Sequence, residues 1–250
     1  MLALPNYEIN HKIHEGVKSV VYRGKSCQKE QPVIIKVLKA EYPSIEEIVC
    51  WRQEHEIIQN LNYDGVDKSY GLVNYRHVFA LILEDFGGQS LAKFLTTQHL
   101  SISQFLTIAI SLADILIKIH QVPIIHKDIK PSNILINQET KQVKLTDFSI
   151  ASNLTFERQT ITNPRFLQGT LAYMSPEQTG RMNRRIDYRS DFYSLGVTFY
   201  EMLTGMLPFR SQDLMELVHC HIAKQPPPLE QFSVPPMISN IVRKLMAKNA

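Results

Sequence analysis

Residues 124–148, which read IIHKDIKPSNILINQETKQVKLTDF, carry the most informative pattern in the chain. Four polar side chains in this stretch can take part in chemistry: Asp128, Lys130, Asn133 and Asp147. Two short apolar runs, 134–137 and 142–145, lie between the last two of them and flank a polar turn. Runs of this length predict two strands joined as a hairpin, which would present Asn133 and Asp147 near each other.

The four side chains meet the needs of phosphoryl transfer. Asp128 can accept the proton of an attacking hydroxyl, and Lys130 can neutralise charge on the transferred group. Asn133 and Asp147 offer hard oxygen ligands, which suit Mg²⁺ because this ion binds few protein oxygens and keeps water and phosphate ligands. Isolated pairs of such residues are common, so the indication comes from five polar identities in order around two predicted strands, these four and His126 before them.

At these residues the chain resembles the catalytic loop and metal-binding turn of the eukaryotic-type protein kinase family. The resemblance continues through residues 147–177, a long stretch with little periodicity. A structureless stretch of this length is usually functional or disordered. It ends in GTLAYMSPE (169–177), which matches the family pattern G-T-x-x-Y-M-[AS]-P-E. In the family, this segment binds the protein substrate near its acceptor residue.

The resemblance assigns roles to further residues around the catalytic loop. It implies that Thr170 contacts Asp128 and Lys130, and that Asp191 accepts hydrogen bonds from the backbone of the catalytic loop. It also implies that Glu177 pairs with an arginine beyond residue 250. Three other threonines remain open as phosphorylation sites: Thr155, Thr160 and Thr162.

The family resemblance implies a two-lobed α+β fold. Residues 1–85 would form a small lobe with an antiparallel sheet and one helix, and residues 86–250 a larger, mainly helical lobe. Apolar patterning predicts helices at 44–61, 101–120, 191–209, 213–223 and 237–248. The last of them runs to the end of the sequence, so we interpret the chain as truncated before the family's final helices.

The family's phosphate loop, G-x-G-x-x-G-x-V, aligns with a turn near the start of the chain. Placing Val21 at the family valine puts His14, Gly16 and Ser19 at the three glycine positions, so only Gly16 is retained. Glycines there let backbone N–H groups approach phosphates without interference from a Cβ atom. The loop therefore departs from the family pattern at two positions.

Lys36 lies in the apolar run 32–38 (PVIIKVL), which predicts a β-strand. A lysine in such a strand ordinarily faces solvent, whereas the resemblance implies that Lys36 contacts the α- and β-phosphates of ATP. It also implies an acidic partner on helix 44–61, where Glu54 and Glu56 compete. The spacing from Glu54 to the end of the helix matches the family, so we predict a Lys36–Glu54 pair.

Residues 78–86 (VFALILEDF) form a further apolar run that leads into two glycines. The resemblance implies that this strand joins the lobes, with Leu83 as gatekeeper and the backbone of Glu84 and Phe86 at the adenine edge. The side chains alone do not select adenine, because an ordinary core strand before a glycine turn has the same pattern.

Composition narrows the expected partners and compartment. The formal net charge of the 250 residues is only +3 and is evenly spread, so we expect no nucleic acid partner. Three widely separated cysteines indicate reduced thiols in a cytoplasmic protein. The chain shows neither a signal-peptide pattern nor a run of about twenty apolar residues, so we expect no membrane segment in it.

The sequence therefore predicts an ATP- and Mg²⁺-dependent Ser/Thr protein kinase that acts on protein hydroxyls, in bacterial signal transduction. Lys130 resembles the Ser/Thr class, and small-molecule phosphotransferases usually lack both this lysine and the YMSPE segment. Residues 173–209 resemble the amino-terminal kinase domain of cyanobacterial-type hybrid sensor kinases, which implies appended or partner sensor and histidine kinase domains. The alternative is a nucleotide-binding pseudokinase that regulates a larger sensor protein. The altered phosphate loop favours this alternative, and the intact catalytic residues oppose it.

Overall fold

An antiparallel sheet forms the amino-terminal part of the structure, a computed structural model that describes residues 4–153, 171–182 and 184–248. The sheet has five strands in the order β1-β2-β3-β5-β4. Their bounds are β1 Tyr7–Glu15, β2 Ser19–Ser26, β3 Pro32–Leu38, β4 Ser69–Tyr75 and β5 Val78–Glu84. Strand β3 has the predicted bounds, because its β-branched residues suit a pleated and partly buried surface.

The register of the strands divides their side chains between two cores. Alternate residues of β3 pack in a small cluster on the outer side of the sheet: Val33, Ile35 and Val37. Lys36 lies opposite Val21 on β2 and opposite Leu81 on β5. Since Leu81 belongs to the main core, Lys36 lies on the inner face of the sheet and not on the solvent side.

Helix α1, Ile45–Leu61, carries the predicted partner of Lys36 and packs against β4. The Ser44 hydroxyl accepts from the N–H of Glu47, whose carboxylate accepts in return from the N–H of Ser44. This reciprocal capping box fixes the start of the helix. Glu54 lies on the buried side of the helix.

Five helices dominate the rest of the described chain: α2 Leu91–Thr97, α3 Ile102–Gln121, α4 Tyr188–Thr204, α5 Leu214–Ala223 and α6 Pro236–Leu245. Short strands lie among them: β6 Gln89–Ser90, β7 Ile124–Ile125, β8 Ile134–Ile136, β9 Val143–Leu145 and β10 Ser152–Asn153. Strands β8 and β9 form the predicted antiparallel hairpin, β6 pairs with β8, and β10 pairs with β7. The prediction of an α+β fold with a sheet lobe and a helical lobe is confirmed.

Helix α4 differs from its predicted range, 191–209, at both ends. Asp187 caps its start, since the side chain accepts a hydrogen bond of 2.9 Å from the N–H of Arg189. Gly205 ends it with φ of 70°, a left-handed conformation that a glycine adopts freely and that stops a helix. The apolar residues after Gly205 continue into the core as a loop, and Phe209 is buried there. Their apolar character made the predicted helix too long.

Among the described residues, α3 is the one helix whose length and composition would allow it to cross a membrane. Core helices satisfy the same criterion. Helix α3 packs against α4, β7 and β9, and it also carries Asp114 and Lys118. Core packing therefore accounts for the apolar face that it turns inward.

Candidate active site

Lys36 binds two carboxylates that come from distant parts of the chain. Its Nζ lies 2.7 Å and 3.0 Å from the two carboxylate oxygens of Glu54, and 2.9 Å from Oδ1 of Asp147, which follows β9. Glu54 is only 1% exposed, whereas Glu56 lies on the exposed side of α1. Of the two candidate partners, Glu54 forms the pair.

The charges in this cluster shift the pKa values of its members. Burial acts to lower the pKa of the Lys36 ammonium, but the Asp147 and Glu54 carboxylates outweigh burial and raise it above its ordinary value. Burial acts to raise the pKa of Asp147, yet the charge of Lys36 brings it below its ordinary value. Burial raises the pKa of Glu54. Asp147 is therefore ionised and Lys36 protonated at neutral pH.

A second cluster surrounds Asp128. Lys130 Nζ donates to Asp128 Oδ2 at 2.7 Å, and Asn133 Nδ2 donates to the same oxygen and to the Asp128 carbonyl, each at 2.9 Å. Oδ1 of Asp128 is buried and has no hydrogen-bond partner among the described residues. One carboxylate oxygen is thus held in place while the other can still accept a hydrogen bond.

Backbone contacts join the two clusters. The N–H of Thr146, just before Asp147, donates to the carbonyl of Asn133 at 2.9 Å. This bond extends the pairing of β8 with β9 by one step. The predicted proximity of Asn133 and Asp147 follows directly from this hairpin.

His126 braces the same loop, although it is absent from the site residues that the sequence predicts. Its Nε2 lies 3.1 Å from the Thr146 carbonyl, and the N–H of Asp128 donates to its Nδ1 at 3.2 Å. Since a carbonyl only accepts and an amide N–H only donates, the imidazole is neutral with its proton on Nε2. The signal for this role is its spacing, two residues before the aspartate whose amide it accepts.

Asp191 holds the chain just before Asp128. Its carboxylate accepts from the N–H groups of His126 at 2.9 Å and Lys127 at 2.8 Å, and it is fully buried. These are the predicted contacts between α4 and the catalytic loop. Lys127 adopts a left-handed backbone conformation with φ of 68°, which such bonds must stabilise in a residue other than glycine.

The predicted phosphate-loop residues lie together at the turn between β1 and β2. Gly16 donates its N–H to the Ser19 carbonyl at 2.9 Å. The His14 Nε2 and Ser19 Oγ atoms lie 3.7 Å and 3.9 Å from the place that a Cβ of Gly16 would occupy. His14 lies opposite Val21, and Val21 lies opposite Lys36. The turn is therefore in register with the strand that carries Lys36.

The three predicted hinge residues lie at and just beyond the end of β5. Leu83 is buried, and the Glu84 side chain forms an ion pair with Lys144, a buried lysine on β9. Lys144 Nζ also lies 4.8 Å from the centre of the Phe86 ring. The Phe86 carbonyl accepts a hydrogen bond of 2.7 Å from Asn137 Nδ2. Lys144 and its contacts are absent from the sequence-based prediction.

Of the two site residues predicted in the substrate segment, Thr170 and Glu177, only Glu177 lies among the described residues. It begins a short 3₁₀ turn, Glu177–Thr179, and its carboxylate accepts a hydrogen bond from the Ser190 hydroxyl at the start of α4. The predicted position of Thr170 beside Asp128 and Lys130 lies outside the described residues. So do the three threonines that remain open as phosphorylation sites: Thr155, Thr160 and Thr162.

The oxygen atoms of Asn133 and Asp147 suit Mg²⁺. Because the Asn133 amide nitrogen donates to Asp128, its Oδ1 is directed away from that carboxylate. The Asp147 side chain is 33% exposed, and its Oδ1 contacts Lys36. The exposed part of this carboxylate can therefore still bind a ligand. Among the described residues, no group of three or more His, Cys, Asp or Glu side chains could hold a metal alone. Mg²⁺ tolerates so few protein ligands because water and phosphate complete its coordination.

A sheet lysine held by a helix glutamate, above a loop that fixes a carboxylate, is the arrangement found in protein kinases. The chain belongs to that family: residues 7–249 match the family described as protein kinase domain. The resemblance recognised in the sequence is thereby confirmed.

The named proteins that the chain is similar to are kinases as well. The chain is 32% identical, over 97% of its length, to a probable serine/threonine-protein kinase of Clostridium perfringens, and 30% identical over 97% to serine/threonine-protein kinase PrkC of Bacillus subtilis. It is also 36% identical, over 60% of its length, to hybrid signal transduction histidine kinase G of Dictyostelium discoideum. These matches cover 35%, 37% and 6% of the respective relatives, so the chain spans little more than a third of the first two.

Proposed function

We propose that the chain transfers the γ-phosphoryl group of ATP to serine or threonine hydroxyls of a protein substrate. The observation that carries this proposal is the position of Lys36, whose ammonium binds Glu54 and Asp147 at once. This contact joins the sheet, helix α1 and the loop after β9. ATP would lie between a lobe formed by residues 1–85 and a lobe formed by residues 86–250, with Lys36 on its α- and β-phosphates.

The chain's own residues support transfer mainly through position and charge. Asp128 would orient the acceptor hydroxyl and accept its proton at Oδ1, the oxygen that the described residues leave without a partner. Lys130 would offset negative charge on the transferred group. Because both side chains are held before the substrate arrives, little reorganisation is required during the reaction.

Asn133 and Asp147 would hold Mg²⁺ through their oxygen atoms. When bound, this ion would neutralise charge on the β- and γ-phosphates. The low pKa of Asp147 supports this role, since the carboxylate is ionised throughout the neutral range. At the nucleotide base, we propose that Leu83 acts as gatekeeper and that the backbone of Glu84 and Phe86 meets the adenine edge.

Two features support protein serine and threonine residues as acceptors. Lys130 follows the pattern of the Ser/Thr class, and the names of two relatives specify serine/threonine-protein kinases. We further propose that the domain acts in the cytoplasm in signalling, with sensor or histidine kinase domains as neighbours or partners. The partial match to a hybrid histidine kinase supports this context.

One observation favours a second candidate, a nucleotide-binding module without transferase activity. His14 and Ser19 replace glycines of the phosphate loop, and each adds a Cβ atom where the family has none, so a phosphate can approach the backbone N–H groups there less closely. The intact Lys36, Glu54 and Asp147 cluster supports nucleotide binding under either proposal, so a measurement of transfer must separate them.

The test is transfer of ³²P from γ-labelled ATP with Mg²⁺ to the protein itself and to a generic basic protein. We expect Asp128→Asn to lower turnover by about 10²–10⁴-fold, the usual contribution of a positioned base. The rise in melting temperature caused by ATP should persist, because Asp128 does not contact Lys36. Asp114→Asn is the matched control, since it makes the same exchange on the exposed side of α3.

Each result assigns the chain to one proposal. Label that appears in the parent and in Asp114→Asn, but hardly in Asp128→Asn, supports the kinase. Full activity of Asp128→Asn would overturn the role of Asp128. If ATP and Mg²⁺ raise the melting temperature but no label is transferred, the nucleotide-binding module is correct.

A further inference from the structure

Gln178 connects the substrate segment to the catalytic loop through its side-chain amide. It lies in the 3₁₀ turn that begins at Glu177, and it is partly buried. Its Nε2 donates to the carbonyl of Lys127 at 2.9 Å, while its Oε1 accepts from the N–H of Ser175 at 3.1 Å and from the Ser175 hydroxyl at 2.9 Å. Ser175 itself is fully buried.

The partners of this amide fix the chemistry that is required at position 178. The Lys127 carbonyl can only accept, and the Ser175 N–H can only donate. A side chain that forms hydrogen bonds with both groups must therefore carry a donor and an acceptor side by side, as a carboxamide does. Glutamate has nearly the same shape but would place a carboxylate oxygen against the Lys127 carbonyl, and methionine would keep the length but lose both bonds.

The bond from Gln178 acts on the peptide group that leads into Asp128. The carbonyl oxygen of that peptide group belongs to Lys127 and accepts a hydrogen bond from Gln178. Its N–H belongs to Asp128 and donates to Nδ1 of His126. The preceding N–H, that of Lys127, is held by Asp191. Since Lys127 adopts a strained left-handed conformation, the direction in which Asp128 leaves the backbone depends on these three bonds.

We infer that Gln178 is a positioning residue for Asp128 and couples the placement of residues 174–178 to the catalytic carboxylate. The inference rests on the proposed function, in which Asp128 receives the proton of the acceptor hydroxyl. Gln178 touches no reacting atom in this scheme. It keeps the Lys127–Asp128 peptide group in one orientation, so that Oδ1 of Asp128 meets the hydroxyl at the correct angle.

The experiment compares Gln178→Glu and Gln178→Met with the parent in steady-state transfer of phosphate to a protein acceptor. We expect kcat per ATP-binding site to fall about tenfold in both variants, the effect of about one lost positioning hydrogen bond. KM for ATP should stay within about twofold, because Lys36 and Asp147 keep their contacts. Gln142→Met is the matched control: Gln142 also donates its amide to a backbone carbonyl, that of Asp64 at 3.5 Å, but on the exposed hairpin between β8 and β9.

Hydrogen–deuterium exchange of residues 126–130 provides a readout that does not require transfer. Faster exchange in both Gln178 variants, but not in Gln142→Met, is expected because the N–H of Asp128 is held through the same peptide group. Unchanged kcat and unchanged exchange would overturn the inference. A loss of ATP-binding sites with normal kcat at the remaining sites would also overturn it, since Gln178 would then serve only stability. If the parent transfers no phosphate, the proposed function fails, and exchange alone decides whether Gln178 fixes this peptide group.

Discussion

Replacing the buried Asp67 by asparagine should stabilise the protein at neutral pH. Asp67 lies between α1 and β4 and is only 4% exposed, and its Oδ1 has no hydrogen-bond partner among the described residues. Burial raises the pKa of this carboxyl to about 6, against the opposing effects of a hydrogen bond with Thr146 and the charge of Lys144. The folded protein therefore binds a proton at Asp67 more tightly than the unfolded chain does.

The sign and size of the effect follow from this difference in pKa. Between about pH 4 and pH 6 the folded state holds more protons at Asp67 than the unfolded state, so the free energy of unfolding falls as pH rises through this window. The change from the ordinary 3.8 to about 6 corresponds to about 3 kcal/mol, at about 1.4 kcal/mol per pH unit. Above pH 7 nearly the whole of this penalty is present, whereas at pH 4 only about a fifth of it remains. Asparagine carries no charge and avoids the penalty at every pH.

The assay is urea and thermal unfolding of the parent and Asp67→Asn from pH 4.5 to pH 8. The gain in the free energy of unfolding should grow from about 1 kcal/mol at pH 4.5 to about 3 kcal/mol at pH 8. A gain of about 3 kcal/mol corresponds to about 6–12 °C in melting temperature for a chain of this size. Asp64→Asn is the control in the same loop, because the Asp64 side chain is 80% exposed and pairs with Lys68 at the surface. Its effect should stay below about 1 kcal/mol at every pH. A gain for Asp67→Asn that is the same at pH 4.5 and pH 8, or a loss at pH 8, would refute the reasoning.

Two further predictions concern a buried ion pair and a close backbone contact. Lys144→Met should lower the free energy of unfolding in urea by about 3 kcal/mol, the lower end for a broken buried ion pair because Glu84 is 23% exposed. Adding Glu84→Gln should recover part of that loss, and a single variant as stable as the parent would contradict the prediction. Gly24→Ala should destabilise by about 1–3 kcal/mol, because its new Cβ would lie 2.4 Å from the backbone oxygen of Glu8. Thermal unfolding tests this, and an unchanged melting temperature would show that β1 can move aside.

The catalytic loop could be predicted from the sequence because its chemistry and its local structure coincide. Asn133 and Asp147 flank a hairpin of consecutive strands, so their proximity needs no knowledge of the rest of the fold. The Lys36–Glu54 pair is less local, and it was predicted only because the family pattern gives the spacing of Glu54 on its helix. Burial alone then selects Glu54 over Glu56, since the two residues lie on different sides of α1.

The bonds made by His126 and Gln178 could not be predicted in the same way. Both side chains hold backbone groups of the loop before Asp128, and neither contact follows from apolar periodicity or composition; only the spacing of His126 from Asp128 gives a signal. The end of α4 was misplaced for a related reason. An apolar stretch predicts burial, but the turn at Gly205 decides whether the buried chain is helical.

The ion pair of Lys144 could have been predicted from the sequence by a physical rule alone. Like Lys36, it interrupts a short apolar strand, and a lysine that is buried with its strand must find a carboxylate there because an unpaired charge in the core is too costly. The two lysines solve this problem in opposite directions. Lys36 reaches from the sheet to Asp147 after β9, and Lys144 reaches from β9 to Glu84 at the end of the sheet. Two ion pairs therefore connect the sheet with the β8–β9 hairpin, one beside the proposed phosphate site and one beside the proposed adenine site. Each pair is partly or wholly removed from water. Moving the hairpin away from the sheet would separate the pairs and leave buried charge uncompensated. The two pairs therefore restrain the distance between the sheet and the hairpin at both proposed sites.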